Sequence, residues 1–129
     1  MADSRFPIRI SSFNKVLFRG LLISPSGSYV ELDGDTIHVR LGWAFSARIP
    51  QRLVVNAGPG RPPTIPLTAG AHGWRGRWLV NGASDGIVAL ELSEPVRAFV
   101  SGVPIRLKQL SVSLDDPVGF LTALRVPAG

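Results

Sequence analysis

Between Leu110 and Leu124 the chain switches from a two-residue to a helical period, and this switch constrains the fold more than any other feature. Leu110, Val112 and Leu114 alternate with Ser111 and Ser113, which predicts a strand with one buried face. Asp115-Asp116-Pro117 then reads as a helix start. An Asp side chain accepts from the first free N–H groups, and Pro is preorganised for the first helical position. Pro117, Phe120, Leu121 and Leu124 follow at helical spacing, giving one short helix with an apolar face. Nearly everything upstream reads as strand and turn. The chain is expected to be mainly β and closed by a single C-terminal helix.

The best-patterned upstream piece is a hairpin. Val30 and Leu32 face one way, and Tyr29 and Glu31 the other. Asp33-Gly34-Asp35 supplies the turn, with Gly34 in the left-handed region. Ile37, Val39 and Leu41 continue the alternation, Gly42-Trp43 breaks it, and Phe45, Ala47 and Ile49 form a third strand ended by Pro50. Phe6 to Ile10 also alternates, with Pro7 marking an edge or a strand start. Residues 53–57 predict a fourth strand, followed by a Gly/Pro-rich loop at 58–63, and residues 69–73 also read as loop. Trp78-Leu79-Val80 predicts a brief strand. Val88, Leu90 and Leu92 predict a strand with Ile87, Ala89 and Glu91 outward, stopped by Ser93-Glu94-Pro95. Ile105 and Leu107 lead into the final strand. About seven strands near ten residues apart argue for a barrel or sandwich. Residues 13–22 read as irregular, with at most one turn of helix.

A chain of 129 residues fits one domain with a core of its own. The absence of cysteine excludes disulfides, a thiol nucleophile and thiolate metal sites, and suits a reducing cytoplasm. The first residues show no secretory leader, and no apolar run approaches the ~20 residues of a spanning helix. A cytoplasmic protein, at most peripheral at a membrane, is therefore expected.

Several segments together resemble small bacterial pleckstrin-homology-like domains, particularly those of actinobacteria. They are Val-Glu-Leu-Asp-Gly-Asp (30–35), Ile-His-Val-Arg-Leu-Gly-Trp-Ala-Phe (37–45) and Ala-Arg-Ile-Pro (47–50). Gly-Ile-Val-Ala-Leu-Glu-Leu-Ser-Glu-Pro-Val (86–96) and Leu-Ser-Val-Ser-Leu-Asp-Asp-Pro-Val-Gly-Phe-Leu (110–121) complete the set. The resemblance covers about residues 29–124 of a single domain. It implies a seven-stranded antiparallel barrel of two near-orthogonal sheets, one open end of which is plugged by the C-terminal helix.

Little in the chain points to catalysis. His38 and His72 are far apart in sequence, and no ligand spacing surrounds either, so no metal or other cofactor is expected. Asp33 and Asp35 suit a hairpin turn and lack the later Glu of a calcium loop. No serine sits in a nucleophile elbow, and Gly70, Gly73 and Gly76 fit no phosphate-binding loop. The chain is therefore expected not to be an enzyme.

The net charge of +5 permits anionic partners, although the basic residues, twelve Arg among fourteen, are scattered. The densest stretch is Trp74-Arg75-Gly76-Arg77-Trp78, with Arg61 and His72 nearby. Arg61, Trp74, Arg75, Arg77 and Trp78 are thus candidate ligand-binding residues, able to stack on a ring or meet a phosphate. In extended geometry the aromatics take one face and the arginines the other. Two functions follow as expectations. The first is a non-catalytic module that binds a protein or a second copy of itself through a strand edge or loop end. The alternative is binding of an anionic lipid headgroup or nucleic acid at the Arg/Trp surface.

Overall fold

Two-residue turns set the pairing of the longest strands. The computed structural model describes residues 4–10, 27–60, 70–74, 76–81 and 86–124, with the backbone alone at 4, 70–74 and 81. Strands β1 (Ser4–Pro7), β2 (Ser28–Asp33), β3 (Thr36–Leu41) and β4 (Phe45–Pro50) form an antiparallel meander. Asp33 pairs with Thr36, so Gly34 and Asp35 alone make the turn, and Gly34 takes φ +59°. A positive φ at the first central residue only is the type II′ arrangement, which matches strand twist.

After a short 3-10 turn at Gln51–Leu53 come β5 (Val54–Pro59), β6 (Gly70–Trp74) and β7 (Arg77–Asn81), then the long strands β8 (Ile87–Val100) and β9 (Val103–Ser113). The β8–β9 turn is Ser101-Gly102 with φ +50° and +81°. Positive φ at both positions is the type I′ turn, and Ser101 is the one non-glycine residue described with positive φ.

β8 bends in its middle. Its first half pairs with β5 and its second half with β4, both on the edge opposite β9. The β8–β9 register shifts between Glu91 and Val96, so Ser93-Glu94-Pro95 forms a bulge in one continuous strand where the sequence predicts a stop. Pro95, which has no N–H to give, falls where β9 asks for none. Among the described residues there are nine strands rather than seven, all in one connected sheet. β6 occupies the stretch at 69–73 expected to be loop, and the expected strands near residues 6–10 and 53–57 appear as β1 and β5, both full ladder members. β5 extends through Gly58 and Pro59, while residues 13–22 lie outside the described part.

The sheet curls until its distant parts touch. Beyond β1, Ile8 bridges Leu114, the Arg9 amide donates to the Ser113 carbonyl at 2.8 Å, and the Asp115 amide donates to the Pro7 carbonyl at 3.1 Å. The Ile8 amide still donates to the Ser28 carbonyl of β2 at 3.1 Å, so this short segment ties β2 to the end of β9.

Inside lie Val30, Leu32, Ile37, Val39, Leu41, Phe45, Ile49, Leu90, Leu92 and Leu107, at the alternate positions the pattern predicts. Two departures have local causes. Ile87 is 5% exposed rather than outward, beside Gly86 at the start of β8. In β9 the inward phase slips from Leu107 to Leu110, three residues on, because the Gly76 carbonyl accepts from both Lys108 (2.8 Å) and Gln109 (3.0 Å).

The single described α-helix, α1 (Pro117–Ala123), is built as predicted. Asp116 is the N-cap and its Oδ1 accepts from the Gly119 amide at 3.0 Å. Phe120 is fully buried, edge-on to Phe6 with ring centroids 5.4 Å apart, and Leu124 is buried after it.

Asp116→Ala is expected to lower stability by about 1 kcal/mol through loss of the cap, and Phe120→Ala by about 3–5 kcal/mol through the cavity it leaves. Urea unfolding reads both, and equal small losses would show that the helix does not close the core. Ser101→Asn is expected to raise stability by roughly 0.5–1 kcal/mol, since Asn tolerates the left-handed region better than Ser. A fall in the unfolding midpoint would contradict the type I′ turn.

Candidate interaction surface

Because the inward positions are apolar, the alternate positions of the same strands face outward. Register then assembles residues distant in sequence into rows across the sheet. One row runs Tyr29, Arg40, Ser46, Phe99, Pro104 over five strands, each residue paired directly with the next. The neighbouring row begins Glu31, His38, Arg48. The Ala47–Ala98 pair sets Arg97 beside Arg48 one step further along, and Arg97 pairs with Arg106.

Arg97 and Arg106 therefore stand opposite one another on the outer face, at a strand spacing of about 4.8 Å, and Arg48 follows one residue beyond the last β4–β8 pair, on the Arg97 side. All three are exposed, and among the described residues none has an ion-pair partner. Like charges directly opposite one another destabilise a sheet by a few tenths of a kcal/mol to about 1 kcal/mol each. Elsewhere the chain does pair its arginines. Arg5 meets Glu31 at 3.0 Å and lies 4.1 Å over the Tyr29 ring, and Arg9 meets Asp115 at 3.6 Å.

His38 reports the field at this face. It sits edge-on to Tyr29, with ring centroids 5.9 Å apart, and is half-buried. Desolvation first, then the Arg48 guanidinium, hold its pKa below the ordinary 6.5; Arg40 and Arg5 add to this and Glu31 opposes it.

Between the second half of β8 and the start of β9 lies an open groove of about 470 Å³, lined by Pro95, Val96, Arg97, Pro104, Ile105 and Arg106. At the adjacent end of the sheet two turns meet, the Ser101 amide donating to the Ala44 carbonyl at 3.0 Å. Three large apolar side chains are exposed there: Trp43 (53%), Phe99 (41%) and Val103 (60%).

The residues singled out from sequence are distributed differently. The chain turns at Gly76, with φ +82°, so Trp74 and Arg77 lie opposite one another in a hairpin rather than along one extended strand. Arg77 is exposed in a row with Gln109 and Glu91, away from the three arginines. Trp78 is half-buried and packs toward Phe45, with centroids 6.5 Å apart, so it belongs to the core side. Arg61 and Arg75 lie outside the described residues, as does the side chain of Trp74. Sequence reasoning missed Arg48, Arg97 and Arg106 as a group. Their outward phase was legible, but their adjacency depends on register between strands about 50 residues apart.

Among the described residues no group of three or more His, Cys, Asp or Glu could hold a metal ion, and no helix is long and apolar enough to cross a membrane. Compared with known proteins, the chain matches no family model, no curated protein and no solved structure.

Because folding lowers the His38 pKa, the unfolded chain binds more protons between that lowered value and 6.5. Stability is therefore expected to hold above 6.5 and to fall as pH drops through the window beneath it. Urea midpoints at about pH 7.5 and about pH 5.5 test this. His38→Gln should flatten the difference, and an unchanged slope would assign it to other groups.

Proposed function

We propose that this domain is a non-catalytic protein-interaction module, which takes a partner protein or a second copy of itself at one end of its curled sheet. The observation that carries the reading is the gathering of Trp43, Phe99 and Val103, all exposed, where the β3–β4 and β8–β9 turns meet. Phe99 lies on the outer face and Val103, which pairs with the core-packed Val100, on the other, so a partner would take this end of the sheet from both sides. Exposed apolar side chains grouped at one end favour an interface where single, scattered ones do not. Aromatic residues there supply much apolar area at small entropic cost.

At two of the open edges prolines stand in the way of an added strand, Pro7 in β1 and Pro59 in β5, whereas β6 at the other end of the sheet carries none. Loop-end docking needs no such ladder. The fold reading that accompanies this function is the pleckstrin-homology-like barrel. Support comes from the curled, mainly antiparallel sheet, the bridge between Ile8 and Leu114, and the strand–Asp-Asp-Pro–helix ending. Folds of this kind serve many roles, so the function rests on the surface and not on the architecture. The second reading, an anionic ligand, is favoured by the unpaired row Arg48, Arg97, Arg106 rather than by the Arg/Trp stretch first suspected.

A photo-crosslinking residue at Val103 in the full chain, expressed in cells of its source, tests the reading. Discrete crosslinked protein adducts are expected, and they should be lost when Trp43 and Phe99 are both changed to Ser. Adducts indifferent to that double change, or none, would refute end-on docking. Light scattering at low and high salt separates a second copy from a different partner, because an apolar self-association persists in salt.

A further inference from the structure

We propose that the row Arg48, Arg97, Arg106, together with the Phe99–Pro104 strip beside it, binds an extended partner segment in which a large apolar residue and an Asp or Glu stand two positions apart. The inference rests on the interaction-module reading and names the partner's chemistry.

The geometry sets the spacing. Along β8, Phe99 and Arg97 share a face two residues apart, and across from them Pro104 and Arg106 repeat the pattern on β9. Two residues of strand span about 6.6 Å, which is also the distance between side chains i and i+2 of an extended ligand. A segment laid along the β8–β9 arm therefore sets an apolar side chain over Phe99 and Pro104 and a carboxylate over Arg97 and Arg106. The open groove lined by Pro95, Val96, Arg97, Pro104, Ile105 and Arg106 lies on this path.

The chemistry sets the charge. Guanidinium groups hold carboxylates with paired N–H donors. Arg97 and Arg106 repel each other across the ladder and find no carboxylate among the described residues, so a bound one removes a repulsion as well as forming hydrogen bonds. Arg48 extends the site by one strand. The His38 pKa, lowered first by desolvation and then by Arg48, shows that Arg48 lies close enough to be felt at the neighbouring row position.

A long polyanion fits less well. Beyond His38 the row meets Glu31, which Arg5 already pairs, and the adjoining strip is apolar at Phe99 and Pro104 although it carries Arg40 further along. A phosphate backbone would use the cations alone, whereas a mixed acidic and apolar peptide uses both rows.

The test uses the full chain and a fluorescein-labelled peptide of repeated Leu-Thr-Glu units, read by anisotropy. Binding is expected, and it should weaken about ten- to hundredfold in R97E/R106E and when the peptide's Glu is replaced by Gln. R97A/R106A should weaken it too while unfolding no earlier than wild type, which guards against loss of fold. Equal affinity for the Gln peptide, or full binding by the Arg variants, would overturn the proposal. So would preferential binding of an oligothymidylate, or of phosphatidylglycerol vesicles, through the same arginines. If the peptide fails but Val103 still crosslinks, this inference alone falls. If the peptide binds as expected while Val103 adducts are absent, the end-on reading falls and the arginine site stands.

Discussion

The structure depends on one strand keeping two sets of company. β8 pairs with β9 on one edge and divides its other edge between β5 and β4. β5 takes residues 88–92 of β8 and β4 takes 98–100, and the bulge between Glu91 and Val96, which bends a strand, lies between the two stretches. That bend delivers the β8–β9 arm alongside β4, and with it places Arg97 next to Arg48 and the Ser101 turn next to Ala44. Core, curl and outer surface follow from the same irregularity.

Closure is secured separately, and with more polar precision. Only a few backbone hydrogen bonds join the segment after β1 to the end of β9, so side chains reinforce them. The Arg9 guanidinium reaches both the carbonyl and the carboxylate of Asp115, and the Ser113 hydroxyl donates to the Arg9 carbonyl at 3.0 Å. Phe120 and Phe6 pack just inside this seam. The helix is only seven residues long, too short to be stable alone, and it persists because its cap and its aromatic anchor act at opposite ends of one turn.

What was legible in the sequence was whatever depends on near neighbours. The alternation of Val30 to Ile49, the turn at Gly34 and the Asp116 cap are decided within a few residues of each other, and local chemistry is enough to read them. Ser93-Glu94-Pro95 carries turn chemistry yet lies inside a strand, because the ladder there tolerates a missing donor. β6 lacks the β-branched residues that announce a strand, and its pairing with β7 comes from a two-residue turn closing at Gly76. The phase slip at Lys108 and Gln109 needs the Gly76 carbonyl, which no pattern in β9 reveals. The candidate site fared likewise. Trp74 to Trp78 drew attention as a cluster in sequence, but register, not proximity along the chain, brings Arg48, Arg97 and Arg106 together.

That contrast bears on why the arginine row exists. Where charge contributes to closing the fold, the chain supplies a partner: Arg5 has Glu31, and Arg9 has Asp115. On the outer face of β4, β8 and β9 it supplies none, although a single Glu at any of the three positions would turn a repulsion into an attraction at no steric cost. Solubility alone does not demand adjacency, since the same cations dispersed would serve as well. Nor does the core, which lies on the other side of the sheet. A row that costs the fold a little and could be relieved so easily is best understood as held ready for a carboxylate that arrives from outside, next to the apolar strip that would receive the rest of the same segment.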